Sequence, residues 1–475
     1  MRKRFEQQYS LGIKKIEDTE INLKSRDGFP KMLLALKYLY VTPEHNEKIF
    51  SILEKNIIFP KNKTGRKGMN LWQIFVLAQA RMVKNLSYDE LHDLAQHHSA
   101  LRQILGIRTS WEFENIVLGY QNIVDNVKLL DDSMLNEINA VIVEMGHQVY
   151  KKKEPAALCL KTDSFVVESN VHYPTDYNLL WDSARKIIDS VQKLLKKYDI
   201  PGWRKINSWY RELKNMMRAI SQSSKKKEES RKKLISDYLK KAKLFSEKIH
   251  NELKNLPLND NKDLSIHLEL DYYIEMLDKH IDLLERRVIK GEKIPHSEKT
   301  FSIFEPYSEW ITKGKRNPSF EIGKNLSITT DQFHLIVNWH IMEHETDSEI
   351  ITIIADKILK RYKVSSWSFD KGFFSKENKE LLALFIDKVV MPKKGKPNKK
   401  EYQEEHEKGF KRLRNKHSAV ESNINELEHR GLSRCPDRGY QHFKNYVGQA
   451  ICAYNLHRIG AELLRQERLK LKQAA

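Results

Sequence analysis

Apolar positions recur with two periods along this chain, and the period switches several times. Up to about residue 150 the spacing is helical, with one helix expected around Lys31–Tyr40 and another around Glu44–Lys55. In MNLWQIFVLAQARMVKN, the residues Leu71, Ile74, Phe75 and Leu77 fall near one helix face. Ser87 and Glu90 form a capping box that opens SYDELHDLAQHH. Leu101, Ile104 and Leu105 mark a short helix, and Thr109 with Glu112 caps another. Residues 156–168 (AALCLKTDSFVVE) read as a strand. After HYPTD the helical period returns from about Leu179 to Glu298. Leu180, Ala184, Ile187, Ile188, Val191 and Leu194 make its first stripe. Leu234, Tyr238, Ala242 and Phe245, then Leu268, Tyr272, Ile274, Leu277 and Ile281, continue it. Strand character reappears at Asn325–Thr330, Phe333–Met342, Ser366–Phe369 and Lys388-Val-Val. Thr346 and Glu349 cap a helix between these strands, and Ser375 starts another. A basic loop (Lys393–Lys400) leads to helical residues 401–430, a turn at Gly431–Arg438 and a last helix at Tyr440–Leu469.

These switches divide the chain into an N-terminal helical arm (1–65), a helical domain (66–150) and the first part of an α/β core (151–178). A helical insertion (179–298), the remainder of the core (299–430) and a C-terminal helix (431–475) follow. Composition then narrows the partners. Lys plus Arg number 83 against 64 Asp plus Glu, a formal net charge of +19, which favours a polyanion through counterion release. The 40% hydrophobic content supports real cores. The three cysteines, Cys159, Cys435 and Cys452, are far apart and fit neither a disulfide framework nor a zinc finger. The N-terminus MRKRFEQQYS lacks the apolar stretch of a signal peptide, and no run approaches the ~20 apolar residues of a membrane span. A cytoplasmic, nucleoid-associated protein without a membrane partner is expected. Three short helices with a tight Asn-Leu-Ser turn, preceded by the basic stretch Lys61–Lys67, resemble a helix-turn-helix DNA reader. A plain helical bundle is the alternative. Lys61, Lys63, Arg66 and Lys67 are the candidate DNA contacts of the basic stretch.

The candidate chemistry rests on three acids. Asp163 lies in the first strand, Asp370 ends SFD after another, and Glu421 lies on the helix in KHSAVESNINELEHRG. A carboxylate on one strand, a second at the end of another and a third on a later helix can converge on two hard divalent cations. Mg²⁺ takes oxygen ligands and keeps several waters, so a few carboxylates suffice, with Mn²⁺ able to substitute. Paired metals serve phosphoryl chemistry on nucleic acid. On a helix Glu426 is turned about 140° from Glu421, and Glu428 lies ~10 Å further along the axis, so Glu421 is the expected ligand. Lys371 and Gly372 follow Asp370 directly and offer a phosphate contact or an ordinary turn. Lys313, Lys315 and Arg316 sit in a glycine-containing loop beside Trp310, a candidate to hold phosphates and stack a base, although a tryptophan is more often core. His340-Ile-Met-Glu343-His344 matches H-x-x-E-H, but ends a run that reads as a strand, where i and i+4 ligands spread over ~13 Å. His97-His98 is most simply a helix-end pair.

With the insertion removed, the element order is β-β-β-α-β-α-β-α, the ribonuclease H-like layout, a mixed five-stranded sheet in which the first and fourth strands are neighbours. At these residues the chain resembles the DDE transposases of bacterial insertion sequences. KTDSFVVESNVHYPTDYNLLWD is similar to their first-aspartate block, and IFEPYSEWITKGKRNPSFEIGKN to the stretch after the insertion. SFDKGFFSKENKELL and AVESNINELEHRGLSRCPDRGYQHFKNYVGQAICAYNLHRIG are similar to the second-aspartate and glutamate blocks. The resemblance implies Asp163, Asp370 and Glu421 as a metal-binding catalytic triad. Many relatives carry an arginine one turn before the glutamate and a lysine two turns after it; His417 and Glu428 stand there in this chain. Lys416, Arg414 or Arg430 are then the candidates for the terminal-phosphate contacts.

The function expected is a DNA transposase acting on double-stranded DNA, both terminal inverted repeats and target, as a homodimer on paired ends. A catalytically silent, transposase-derived DNA-binding protein and a ribonuclease H-like nuclease are the alternatives. If about six phosphates are neutralised, affinity for DNA falls by on the order of 10³ between roughly 50 and 200 mM salt. Fluorescence anisotropy on the variant with Lys61, Lys63, Arg66 and Lys67 all changed to alanine should show weaker binding to every sequence alike. Unchanged affinity would locate the contacts elsewhere.

Overall fold

Among the described residues, seven α-helices precede the first strand. α1 (Phe29–Val41) and α2 (Pro43–Leu53) each carry a proline in the first turn, where its missing N–H leaves no bond unmade. The Asn70 side chain caps α3 (Leu71–Val83), and the full Ser87–Glu90 capping box opens α4 (Tyr88–His97). His98 caps α5 (Ser99–Ile104) by accepting the Leu101 N–H at 3.1 Å, so the histidine pair ends one helix and begins the next. α6 (Tyr120–Val127) and α7 (Asp132–Val149) follow. This computed structural model describes residues 2–5, 13–58, 68–107, 118–152, 156–224, 228–252, 255–312 and 319–474. The Thr109–Glu112 cap lies outside them.

The run 156–168 forms β1 (Leu158–Ser169). It is the middle of a mixed seven-stranded sheet whose other main strands are β2 (Glu309–Thr312), β3 (Phe320–Thr330), β4 (Ile336–Ile341), β5 (Val364–Phe369) and β6 (Lys388–Val390). The strand order is β2-β3-β1-β5-β6, with β4 also paired to β3. β1 runs antiparallel to β3 and parallel to β5, and β5 runs parallel to β6. A strand covered on both sides usually reads as a nearly continuous apolar run, and β1 departs from this where Lys161, Thr162, Asp163 and Ser164 separate LCL from FVV. Its register is held by side chains as well as backbone. Trp367 Nε1 donates to Thr162 Oγ1 at 2.8 Å, and Thr162 Oγ1 lies 2.7 Å from Thr329 Oγ1, a buried chain of polar contacts across three strands. Gly323 of β3 is required where it stands, since a Cβ there would lie 2.0 Å from the Val167 carbonyl oxygen.

The β3–β4 hairpin is tighter than Phe333–Met342 suggests. Asp331 Oδ1 accepts the N–H groups of both Phe333 and Leu335, and His334 adopts φ +65°, so the strand starts only at Ile336. α12 (Ile351–Leu359), α13 (Lys376–Ala383), α14 (Lys399–His406), α15 (Lys408–His417) and α16 (Ala419–Leu427) alternate with or follow these strands. Residues 401–430 are thus several short helices. A two-residue β7 (Arg434–Cys435) pairs with the end of β1. The last helix, α17 (Tyr440–Ala474), buries Phe443, Val447, Ile451, Tyr454 and Leu456 among others, so its middle is apolar on nearly every side. It packs on α1, α3 and α7 and reaches the sheet through Asn455, whose side chain bonds the N–H and carbonyl of Ile336 and the side chain of Asn139. Sheet, N-terminal helices and α17 together form one compact unit, Met1–Asn170 with Ile311–Ala475.

The second unit, Val171–Trp310, contains four long helices: α8 (Asp176–Leu195), α9 (Ile206–Gln222), α10 (Glu228–Glu252) and α11 (Asn261–Leu284). Leu180, Ala184, Ile187, Ile188, Val191 and Leu194 all face its core, with Trp203, Tyr238 and Phe245. Leu268 does not: it is 63% exposed, and Leu270, Ile274, Leu277 and Ile281 are the buried stripe. That set keeps the i, i+4, i+7, i+11 spacing of one face, which a stripe begun at Leu268 leaves. Lys197 ties α8 to the start of α11 through Asp260 and Asp263 at 2.7 and 2.8 Å.

Where α17 crosses α1 the backbones nearly touch, and a Cβ on Gly460 would lie 1.8 Å from the Lys31 carbonyl oxygen. Gly460→Ala should therefore cost about 1–3 kcal/mol, as other overpacked contacts do, and lower the urea midpoint. An unchanged midpoint would mean the two helices part freely.

Candidate metal centre

The β1–β5 pairing brings the first two acids together. Thr162 is in register with Phe369, the last residue of β5, so Asp370, directly after that strand, comes beside Asp163 of β1. Neighbouring strands are ~4.8 Å apart and paired residues point to the same face, which sets both carboxylates side by side. α16 packs against β1 and presents Glu421. Its inner face is Val420, Asn423 and Leu427, and Asn423 accepts a hydrogen bond from Tyr454 of α17 at 3.0 Å. Beyond it, Glu426 engages Arg430 at 2.9 Å and His457 at 3.2 Å, which fixes the rotation of the helix and removes Glu426 from the site. Glu428 begins the wider turn that ends α16.

A fourth carboxylate joins this group. Asp347, in the turn before α12, accepts the Ser164 hydroxyl at 2.6 Å. Glycine follows Asp370 for its sake: a Cβ on Gly372 would lie 2.6 Å from Asp347 Oδ2. Burial, with the negative charges of Asp370, Asp347 and Glu421, pushes the Asp163 carboxyl up to about 7, against the help of the Ser164 N–H at 2.8 Å. Burial and the charge of Asp370 likewise raise Asp347. Among the described residues no lysine or arginine forms an ion pair with any of the four. Sequence patterning missed Asp347 because the Thr346–Glu349 cap claims that turn; the bond is real, with Glu349 accepting from Thr346 at 2.7 Å, but it closes a turn ahead of the helix.

Such a cluster suits divalent cations: hard oxygen donors, excess negative charge and no competing protein cation. The four do not close within 4.8 Å of one another as Glu44, His45 and Glu144 do. A pair of ions ~3.5–4 Å apart needs the wider spread, because its outer ligands sit on opposite sides. The Glu44 group already holds a cation, since Lys48 Nζ bonds Glu44 at 3.0 Å and Glu144 at 2.7 Å.

The expected DNA contacts are placed unevenly. Lys61, Lys63, Arg66, Lys67, Lys313, Lys315 and Arg316 lie outside the described residues. Lys371 is exposed directly after Asp370. Arg414 is half exposed, 3.9 Å from Glu405, and Lys416 is exposed. Arg430 is spent inside the fold on Glu426 and the Val83 carbonyl. His417 shares a 3.0 Å hydrogen bond with Ser368, and burial pulls it down to about 4, so it stays neutral near Asp370 and brings no charge to a phosphate. In α4 and α5 the exposed residues include Asp89, Glu90 and Asp93, while Arg102 is buried, donating to the Gln96 carbonyl. Trp310 packs against Phe301, ring centroids 5.7 Å apart. His340 stands in β4, with Glu343 and His344 in the turn beyond it. None of the three cysteines is in a disulfide, and no described helix is long and apolar enough to cross a membrane.

Compared with known proteins, the chain is matched by no family model, no curated protein and no solved structure.

Asp347→Asn should leave the fold intact and weaken Mn²⁺ or Mg²⁺ binding on the order of tenfold, the scale of lost supporting ligands, by titration calorimetry. Glu349→Gln, equally close in sequence, should bind normally. Equal loss in both would assign the effect to the turn instead of the carboxylate.

Proposed function

We propose that the chain is a metal-dependent DNA transposase that cuts transposon-end DNA and transfers the strand to a target. The observation that carries this is the group of acidic side chains from distant segments, Asp163, Asp370 and Glu421 with Asp347, gathered unpaired in a chain of net charge +19. A strongly basic protein in which no lysine or arginine among the described residues forms an ion pair with these acids is suited to bring polyanion and divalent cation together. The sheet order supports a ribonuclease H-like core: with β2 set aside, β4-β3-β1-β5-β6 is the 3-2-1-4-5 arrangement, with the second strand alone antiparallel to its neighbours. The transposase blocks around the same acids agree with it.

In this mechanism Asp163, Asp370 and Glu421 would hold the ions, and Asp347, fixed by its hydrogen bond from Ser164, would add negative charge beside them. The bound cations would supply a water of lowered pKa and charge for the leaving oxygen. Asp163 is the central ligand, since it stands between Asp370 on β5 and Glu421 on α16. Lys371 is placed to meet a strand phosphate beside Asp370, and Lys416 to provide the charge that His417 lacks. Paired transposon ends call for a homodimer on DNA, and the setting is the bacterial cytoplasm. A stand-alone nuclease would need the same acids and would differ only in giving no joined product.

Glu421→Gln keeps the size of the side chain and removes its charge. DNA binding should persist while Mg²⁺-dependent nicking and joining of end-bearing DNA fall by at least 10²-fold, about 2.7 kcal/mol of barrier. Glu428→Gln should retain activity. A Glu421 variant that still cuts and joins, beside a Glu428 variant that does not, would reverse the assignment. Binding without any cutting by the unaltered protein would favour the silent DNA-binding alternative.

A further inference from the structure

A second cavity, of about 480 Å³, opens between the same face of the sheet and the helices α15 and α16. Its charged lining is all of one sign. Lys161 comes from β1 and Arg412 and Lys416 from α15, His334 of the β3–β4 turn is disfavoured as a cation by its burial, and no Asp or Glu lines the cavity among the described residues. Lys161 is the unusual member, only 9% exposed. A buried ammonium normally has a carboxylate partner, because a charge removed from water is otherwise costly. Lys161 has one contact, a 3.3 Å hydrogen bond to the Asp331 main-chain carbonyl. The Asp331 carboxylate is consumed elsewhere, bonded to His147 at 2.7 Å and to the N–H groups of Phe333 and Leu335. Arg412 and Lys416 have no ion-pair partner among the described residues. Ser366 and Ser422 add hydroxyls to the wall, and Leu413 an apolar surface.

We propose that this cavity binds a phosphate ester of nucleotide size. Two cations without an ion-pair partner, beside a lysine whose charged form burial disfavours and an anion would favour, call for an anion bearing more than one charge. Oxygen-rich phosphate fits three separate donors better than a single carboxylate, and arginine and lysine are the usual pair for it. The volume exceeds what inorganic phosphate fills and falls within the range of small-ligand sites. The apolar wall leaves room for a sugar or base beside the charged end. The cavity is distinct from the carboxylate cluster but adjoins it: Lys161 and Asp163 are two residues apart on one strand face, ~6.6 Å. The ligand has two sources with the same chemistry, a free nucleotide or the phosphorylated end of a strand. The inference stands on the cavity lining and does not depend on the transposase proposal.

Binding can be measured without divalent cations, so the acidic cluster plays no part. Calorimetric titration of the full chain with deoxyadenosine 5′-monophosphate, inorganic phosphate, and a trinucleotide with or without a 5′-phosphate covers both sources. Saturable binding of a phosphate ester is expected, weakened at least tenfold in the variant carrying Arg412→Ala and Lys416→Ala, both exposed positions that should not disturb folding. Lys161→Met should abolish it, with circular dichroism confirming the fold. A phosphorylated trinucleotide bound tenfold tighter than the mononucleotide identifies a strand end; equal affinities identify a free nucleotide. The proposal is overturned if no phosphate ester binds at millimolar concentration, if inorganic phosphate binds as tightly as the esters, or if the double variant binds like the unaltered chain.

Discussion

Like charges are held close together at the end of the central sheet, and the rest of the larger unit is arranged to keep them there. Burial, with the negative charges of Asp370, Asp347 and Glu421 beside it, pushes the Asp163 carboxyl up to about 7. No salt bridge relieves them among the described residues. The restraint is mechanical. The Trp367–Thr162–Thr329 contacts lock β1 between its neighbours, Ser164 and the open space at Gly372 admit Asp347, and Tyr454 and His457 of α17 anchor the helix that carries Glu421. Strain of this sort is tolerated where the surroundings over-determine the geometry, and it suits a centre completed by an external cation.

Charge is sorted sharply along the first strand. Two residues before the acidic Asp163, Lys161 opens a cavity lined by cations, so one sheet face carries an acidic pocket and a basic one side by side. No ion pair joins the acidic group to Lys161, Arg412 or Lys416 among the described residues, and His417, hydrogen-bonded to Ser368 at 3.0 Å, is pulled down by burial to about 4. A ligand that needs both a divalent cation and a phosphate contact would find the two in sequence.

Much of this was readable from residue order, and the misses have identifiable causes. The strand around Asp163, the strand ending at Asp370 and the helix bearing Glu421 were legible because each is a short apolar segment with an acid at a definite position. Asp347 was hidden by a capping pattern that explained the same turn. Gly372 offers a phosphate approach or an ordinary turn in the sequence, and only three-dimensional packing shows the Asp347 carboxylate in the space a side chain there would need. Leu268 misled because four-residue spacing fits two adjacent helix faces. The cavity beside Lys161 is invisible in the sequence because that lysine lies more than two hundred positions from Arg412 and Lys416, and Lys161 in a strand looks like any edge lysine.

Crystals grown with Mn²⁺ and measured at its absorption edge would test the proposed centre most directly. Two anomalous peaks about 3.5–4 Å apart are predicted among Asp163, Asp370, Asp347 and Glu421. Manganese bound at Glu44, His45 and Glu144 instead, with none at these four acids, would contradict the account.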